Sequence, residues 1–298
     1  MRLGPSILAL MLTGVPLSVV AEPIPASVLT DPSPDKAHPA SMVAIALPTK
    51  GVKINAVLYT AAGAGPHPTV LLLHGLPGNE QNLDLAQAVR REGWNVLTLH
   101  YRGSWGSPGQ FSFGHCMEDA QAALAWLRDP NTAQAAQIDA GKIVVMGHST
   151  GGFMAAFAAS HDEGLLGVAL ISPGGPGRIG LLKREQAIKV IDDNIGTTAG
   201  MRTVNTSPEA LADEAIRNAS DWNITAWGPG LAKHPLLIVS ANDGLAPANE
   251  ALRDSAANGQ PVTYLHLDTD HSYSDHRIAL EAAVIRWLEN LPGAPAGL

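Results

Sequence analysis

A serine, a histidine and an aspartate can together cleave an acyl bond. The histidine takes the serine's proton, and the carboxylate holds the histidine in the tautomer that can accept it. A serine suited to that work stands at position 149, inside "VVMGHSTGGFMAA" (residues 144–156). Gly147-His148-Ser149-Thr150-Gly151 matches the pattern G-x-S-x-G, which carries a nucleophile when a strand precedes it and a helix follows. Both flanks fit. The apolar run "KIVVMGH" (142–148) leads in, and "TGGFMAAFAA" leads out with residues small enough for a helix to lie close against a sheet. The turn is so sharp that side chains at 147 and 151 would collide with the neighbouring elements. Taken alone, however, a glycine-flanked serine is equally a small residue in a glycine-rich corner.

The partners therefore have to be found elsewhere in the chain. "LLIVSANDG" ends a strand-like run and leaves Asp243 in a loop, while "YLHLDTDHSYSDHR" ends the next one and leaves His271 before the last helix. The order Ser149, Asp243, His271 is the order in which acid and base follow such a serine. Asp268 and Asp270 crowd His271 from its own strand end, where turn-forming or solvated roles suit them, and topology favours Asp243 as the acid. No acid stands near the end of the preceding strand, "LISPGGPG". His276, one turn into the final helix, reads as a surface residue beside His271. Attack on an acyl carbonyl also needs two donors for the oxyanion that forms. Thr150 offers its backbone N–H from a helix start, where the dipole helps. The second donor is expected from "LLLHGLPGNEQN", where Leu76 has an N–H and Pro77 has none; the competing reading of "HGLPGN" is a plain tight turn.

These residues need a frame, and the apolar pattern supplies one. Segments 42–47 and 53–59 read as a hairpin turning near Lys50 and Gly51. Residues 69–75, 94–101, 142–148, 165–172, 235–243 and 261–268 are compact apolar runs of the kind found in strands buried on both faces. Helical spacing fills the gaps at 80–92, 115–128, 150–161, 246–257 and 274–291, so strand and helix alternate. This predicts an α/β fold with a mostly parallel sheet and helices on both faces. Residues 174–234 break the rhythm and include a helix-like "SPEALADEAIRNA" (207–219), opened by Ser207 and Pro208. They are read as a small cap inserted above the C-terminal edge of the sheet, within a domain that runs from 41 to 298.

At 298 residues and 46% hydrophobic composition the chain suffices for one large domain. Only 15% of residues are charged and the net charge is −8, so no basic field exists to attract nucleic acid. The opening "MRLGPSILALMLTGVPLSVVAEP" joins Arg2 to an apolar stretch from Ile7 to Val20 and ends in small residues around Ala21. That is the build of an export signal cut after Ala21, with a Pro-rich leader (22–40) behind it. Gly14 and Pro16 interrupt the stretch, which is short for a spanning helix, so no stable membrane insertion is expected. The single cysteine, Cys116, excludes an intramolecular disulfide. His74, His100, His115 and His148 are scattered without metal-like spacing, and the chemistry proposed needs no cofactor and no metal.

Together "HGLPGN", "YRGSWGSPG", "GHSTGG", "SANDG" and "TDHSYSDH" resemble the α/β-hydrolase superfamily over roughly residues 42–292. Within it the chain looks like the single-domain serine hydrolases related to esterases and to the catalytic domain of prolyl oligopeptidase and acylaminoacyl peptidase. The resemblance implies that Ser149 attacks, His271 transfers the proton, Asp243 orients it, and Leu76 and Thr150 hold the oxyanion. It also implies that Arg102 is structural, in the loop after the fourth strand. Two departures stand out: there is no "HGGG" of the lipase type, and no large N-terminal propeller. A serine at 149 argues against dehalogenase and epoxide hydrolase chemistry, which use a carboxylate nucleophile.

Three functions follow as expectations. The first is an exported, periplasmic or secreted hydrolase of carboxylic esters with small or medium acyl groups. The second is an aminopeptidase or a dipeptidyl or acylaminoacyl peptidase on the same triad, with Glu209, Asp213 and Glu214 as candidates to hold a free amino terminus. The third is a non-catalytic binding protein that keeps the fold. Substrate-binding residues and oligomeric state are not legible; Trp105, Trp222 and Trp227 are either pocket walls or ordinary packing.

Overall fold

The computed structural model describes residues 23–196 and 203–295. The expected export signal therefore lies outside the described residues. The sheet begins as a hairpin of β1 (Ser41–Thr49) and β2 (Val52–Thr60), turning at Lys50 and Gly51, both of which have positive φ. Then come β3 (His67–Leu73), β4 (Asn95–Leu99), β5 (Ile138–His148), β6 (Gly167–Ile171), β7 (Leu236–Ser240) and β8 (Val262–His266). The eight strands lie in the order β1-β2-β4-β3-β5-β6-β7-β8. The pairs β1/β2 and β2/β4 are antiparallel, and every later pair is parallel. The strand order reverses at β3, which has β4 on one side and β5 on the other. The loops leaving the C-terminal ends of β3 and β5 thus part in opposite directions, and the crevice between them is where open α/β sheets place a ligand.

Alternation along the strands divides the core into two layers. Leu71, Leu73, Leu97, Val145, Leu170 and Ile238 face one side, and Val70, Leu72, Val96, Val144, Met146, Ala169, Ile171, Leu237 and Val239 face the other, as a period of two requires. The helices, in chain order, are α1 (Ala26–Leu29), α2 (Leu83–Arg91), α3 (Phe113–Arg128), α4 (Pro130–Ala135), α5 (Thr150–Ser160), α6 (Pro176–Ile179), α7 (Arg184–Ile195), α8 (Pro208–Arg217), α9 (Gly228–Leu231), α10 (Ala246–Ala256) and α11 (Arg277–Glu289). Helices α3 and α5 pack on the first layer, and α2 and α11 on the second. Each fully buried Leu, Ile, Val or Phe adds about 1.5–3 kcal/mol of transfer free energy. No helix among the described residues is long and apolar enough to cross a membrane.

Three features differ from the sequence-based expectation. Strand β8 is the sheet's edge, not buried on both faces: Thr263 and His266 are exposed, and its apolar character serves one face only. The Pro-rich leader carries the short α1, whose Ser27 and Val28 are buried; the Arg91 guanidinium donates to their carbonyl oxygens. Between β6 and β7 the chain forms α6, α7, α8, a 3-10 turn (Ile224–Trp227) and α9, where the sequence showed only the segment that becomes α8.

Candidate active site

Strand β5 delivers Ser149 into a turn with φ 57° and ψ −124° before α5 begins. An L-residue reaches that conformation only at a cost of about 1–3 kcal/mol, which the surroundings must hold. They do so by leaving no alternative. The Ser149 N–H donates to the Ile171 carbonyl at 2.9 Å, and its own carbonyl accepts from Phe153 and Gly174. A Cβ at Gly147 would lie 2.1 Å from the Gly151 carbonyl oxygen, and one at Gly151 would lie 2.1 Å from that of Leu73. Both positions of the G-x-S-x-G pattern are therefore closed to any side chain.

Loop ends from three other strands converge on this serine. After β3, a Cβ on Gly75 would sit 2.9 Å from Ser149 Cβ and 3.4 Å from Oγ, so the next residue, Leu76, enters beside Ser149. The loop is braced from behind. His74 Nδ1–H donates to the Gly75 carbonyl at 2.7 Å, the Tyr101 hydroxyl donates to the His74 carbonyl at 3.3 Å, and Trp105 Nε1–H donates to that of Pro77 at 2.8 Å. Thr150 stands first in α5, where an N–H has no acceptor within its own helix.

Asp243 follows β7 and His271 follows β8. His271 Nδ1–H donates to Asp243 Oδ2 at 2.7 Å, which leaves Nε2 as the ring's proton acceptor. Asp243 is 4% exposed and His271 39% exposed. Burial alone would raise the Asp243 pKa. Hydrogen bonds from His271, the Leu245 N–H and the Ser172 hydroxyl outweigh it and hold the carboxyl down to about 2. The carboxylate therefore stays ionised wherever the imidazole is neutral.

Ser149, Thr150, Leu76, Asp243 and His271 all line one cavity of about 580 Å³. Its apolar walls come from Phe113 and from α6 and α7, through Ile179, Val190 and Ile191. Asp270 also lines it but accepts hydrogen bonds from the Ser272 and Ser274 N–H groups. Asp268 accepts from Asn242, and His276 is held by Asp275; none of these competitors bonds to His271.

The remaining candidates lie elsewhere. Glu214 caps α3 by accepting from the Phe113 and Gly114 N–H groups. Asp213 pairs with Arg184 on the surface, and exposed Glu209 is held by Ser207 and its own N–H. None of the three lines the cavity. Trp222 and Trp227 pack on Phe113, Phe153 and Phe157, while Trp105 stacks on His100; all three are packing residues. Buried Arg102 holds Asp119 at 2.7 Å and fixes the loop after β4.

Two contributors were not singled out by sequence reasoning. His148, read only as a core or loop histidine, donates Nε2–H to the carbonyl of His271 at 2.8 Å, and the two rings lie 4.8 Å apart. It ties the loop that carries His271 to the strand that leads into Ser149. Burial pushes the pKa of His148 down to about 4 and does the same to His74. The second contributor is α7. Its apolar positions 187, 188, 191 and 195 carry a helical spacing that was legible, but within the segment read as a cap only 207–219 was singled out as helix-like.

A family model of the α/β hydrolase fold matches residues 68–204. With its eight-stranded, mostly parallel sheet, the chain has the α/β-hydrolase fold. No curated protein matches it in sequence, but solved structures do in shape. An esterase of Pyrobaculum calidifontis superposes with a TM-score of 0.58 at 19% identity, covering 84% of this chain and 87% of that one. A highly thermostable carboxyl esterase of Bacillus coagulans gives 0.63 at 15%, covering 84% and 99%. A 2,6-dihydroxy-pseudo-oxynicotine hydrolase gives 0.59 at 19%, covering 88% and 70%. At such identities what this chain shares with them is the fold.

Proposed function

We propose that this α/β hydrolase is an exported serine carboxylesterase acting on esters with small or medium acyl groups. The observation that carries the reading is the His271–Asp243 hydrogen bond opening onto the cavity that Ser149 also lines. Ser149 Oγ attacks the ester carbonyl carbon while its proton passes to His271 Nε2. The oxyanion is received by the N–H groups of Leu76 and Thr150. Collapse of the tetrahedral adduct breaks the bond to the alcohol, which leaves with the proton from His271. Water, deprotonated by the same ring, then cleaves the acyl-enzyme and restores Ser149. Asp243 stays ionised throughout and steadies the imidazolium.

Ester rather than aminopeptidase chemistry is favoured because Glu209, Asp213 and Glu214 do not line the cavity, so none is placed to hold a free ammonium. The apolar wall from α6 and α7 suits an acyl chain of modest length. Purified protein should turn over p-nitrophenyl butyrate and react with a fluorophosphonate probe at Ser149, and Ser149→Ala should do neither. Inertness of the wild type in both assays overturns the reading and leaves a binding protein with this fold. Equal or faster cleavage of free aminoacyl amides relative to N-blocked ones and to esters supports the peptidase instead. Export predicts a mature N-terminus at Glu22; mass spectrometry of protein from the extracytoplasmic fraction checks it.

A further inference from the structure

Among the charged and amide side chains lining the cavity, all but one are engaged. Asp243 holds His271. Asn242 donates to Asp268 and bonds His266. Asp270 is occupied by two backbone N–H groups, and Asn194 donates to the Val190 carbonyl. Arg178 differs. It is exposed in α6, lines the same cavity as Ser149, and its side chain makes no hydrogen bond or ion pair among the described residues. Most of the wall around it is apolar, with Phe113 and Ile191 buried and Leu182 and Val190 at the rim.

An apolar pocket with one unpaired guanidinium calls for a ligand of matching make-up: a carbon chain that fills the pocket and an anion at its end. Guanidinium binds carboxylate through two parallel hydrogen bonds and is less strongly hydrated than an ammonium, so it loses less on leaving water. A sphere of the cavity's volume is about 10 Å across. An anion at Arg178 and an ester carbonyl at Ser149 therefore belong to one short substrate. The chain's net charge of −8 and the carboxylates of Asp243 and Asp270 in the same lining work against an anionic substrate, so Arg178 is the cation in that lining that can hold one.

Resting on the serine-esterase reading, we infer that Arg178 recognises an ionised carboxylate on the substrate, so that half-esters of short dicarboxylic acids are the preferred class. The test compares p-nitrophenyl hydrogen adipate with p-nitrophenyl hexanoate, the same acyl chain without the charge. Wild type should favour the adipate in kcat/KM by about five- to tenfold at low salt, mostly through KM, the range of a partly exposed charge pair. The preference should shrink as salt is added. Arg178→Gln should abolish it and Arg178→Glu invert it. Both esters are measured on one preparation, so loss of folded enzyme cancels in the ratio.

Turnover of both esters with no adipate preference, or a preference unchanged in Arg178→Gln, overturns the role of Arg178 and leaves the esterase reading intact. Failure to turn over either ester, together with no fluorophosphonate labelling, overturns both. Calorimetry on Ser149→Ala with monomethyl adipate gives a readout free of turnover: binding that disappears in the Ser149→Ala, Arg178→Gln double variant supports the inference, and binding that persists undiminished overturns it.

Discussion

The C-terminal edge of the sheet, where the strand ends present Ser149, and the segment inserted between β6 and β7 are built on opposite principles. At the edge, Leu73, Val145, Leu170, Ile171 and Val239 are fully buried, and Gly147 and Gly151 press against backbone atoms that cannot move aside. In the inserted segment, Leu181 is 77% exposed and Leu182 and Val190 lie at the surface. The ion pairs Arg184–Asp213 and Lys189–Asp193 are exposed, where solvent screening leaves such pairs little net stabilisation. Geometry that must hold to a fraction of an ångström is thus assigned to close-packed backbone, and on the proposed reading the choice of substrate falls to side chains that can be exchanged at little cost. The expectation is that substitutions at the edge act on kcat or folding and those in the insertion act on KM and preference.

The largest effect should come from the nucleophile. Ser149→Ala is expected to lower kcat by at least about 10³-fold while circular dichroism and thermal stability stay near wild type, since the turn is held by backbone hydrogen bonds and not by Oγ. A variant that unfolds would show that Ser149 is structural. Next comes Gly151→Ala, whose methyl would fall 2.1 Å from the Leu73 carbonyl oxygen. Overpacking against backbone should cost about 3 kcal/mol or more and lower the melting temperature by several degrees. An unchanged melting temperature would break the contrast between edge and insertion.

The meeting of Ser149, Asp243 and His271 at one cavity was legible in the sequence because each of them follows an apolar run, and strand ends of a parallel sheet meet in space. Asp243 could be preferred to Asp268 and Asp270 for the same reason: topology brings the end of β7 beside the end of β8. His148 was not legible as an anchor. Its bond to the His271 carbonyl joins residues 123 positions apart, and no local pattern signals which way a buried ring turns. The inserted segment was read poorly since short helices there owe their existence to contact with α5 and with one another, as in Trp227 on Phe153 and Phe157. Local propensity is a weak guide to helices of that length.

The buried histidines His74 and His148 make the site's frame sensitive to acid. His74 and His148 have pKa values near 4 in the folded protein against about 6.5 when unfolded. Lowering the pH protonates the unfolded chain first. Stability is therefore unaffected above about pH 6.5 and declines as the pH falls toward 4, by about 3 kcal/mol for each ring. Asp243 acts in a lower window. Its pKa is held at about 2, so it contributes about 2 kcal/mol in full above the ordinary aspartate value and loses it as the pH falls through 2. Urea titrations at pH 7 and pH 4.5 on wild type and His148→Gln should show a steeper acid loss in the wild type. Equal slopes would mean that His148 is charged or solvated in the native state.

The smallest expected effect tests the insertion itself. Leu182 lies at the cavity rim and is 39% exposed, so Leu182→Ala removes a side chain that is already partly in water and leaves no closed void. Its stability cost should stay within about 0.5–1 kcal/mol. Its functional cost depends on the substrate: an acetyl group does not extend to the rim, whereas a longer acyl chain loses part of one apolar contact. At about 0.8 kcal/mol for each buried methylene, KM for an octanoate ester should rise about two- to fourfold, with KM for the acetate unchanged. A melting temperature depressed as far as in Gly151→Ala would show that the insertion is locked as tightly as the edge. Its exposed leucines would then be part of the folding core, and substrate preference would have to be sought in residues other than those of α6 and α7.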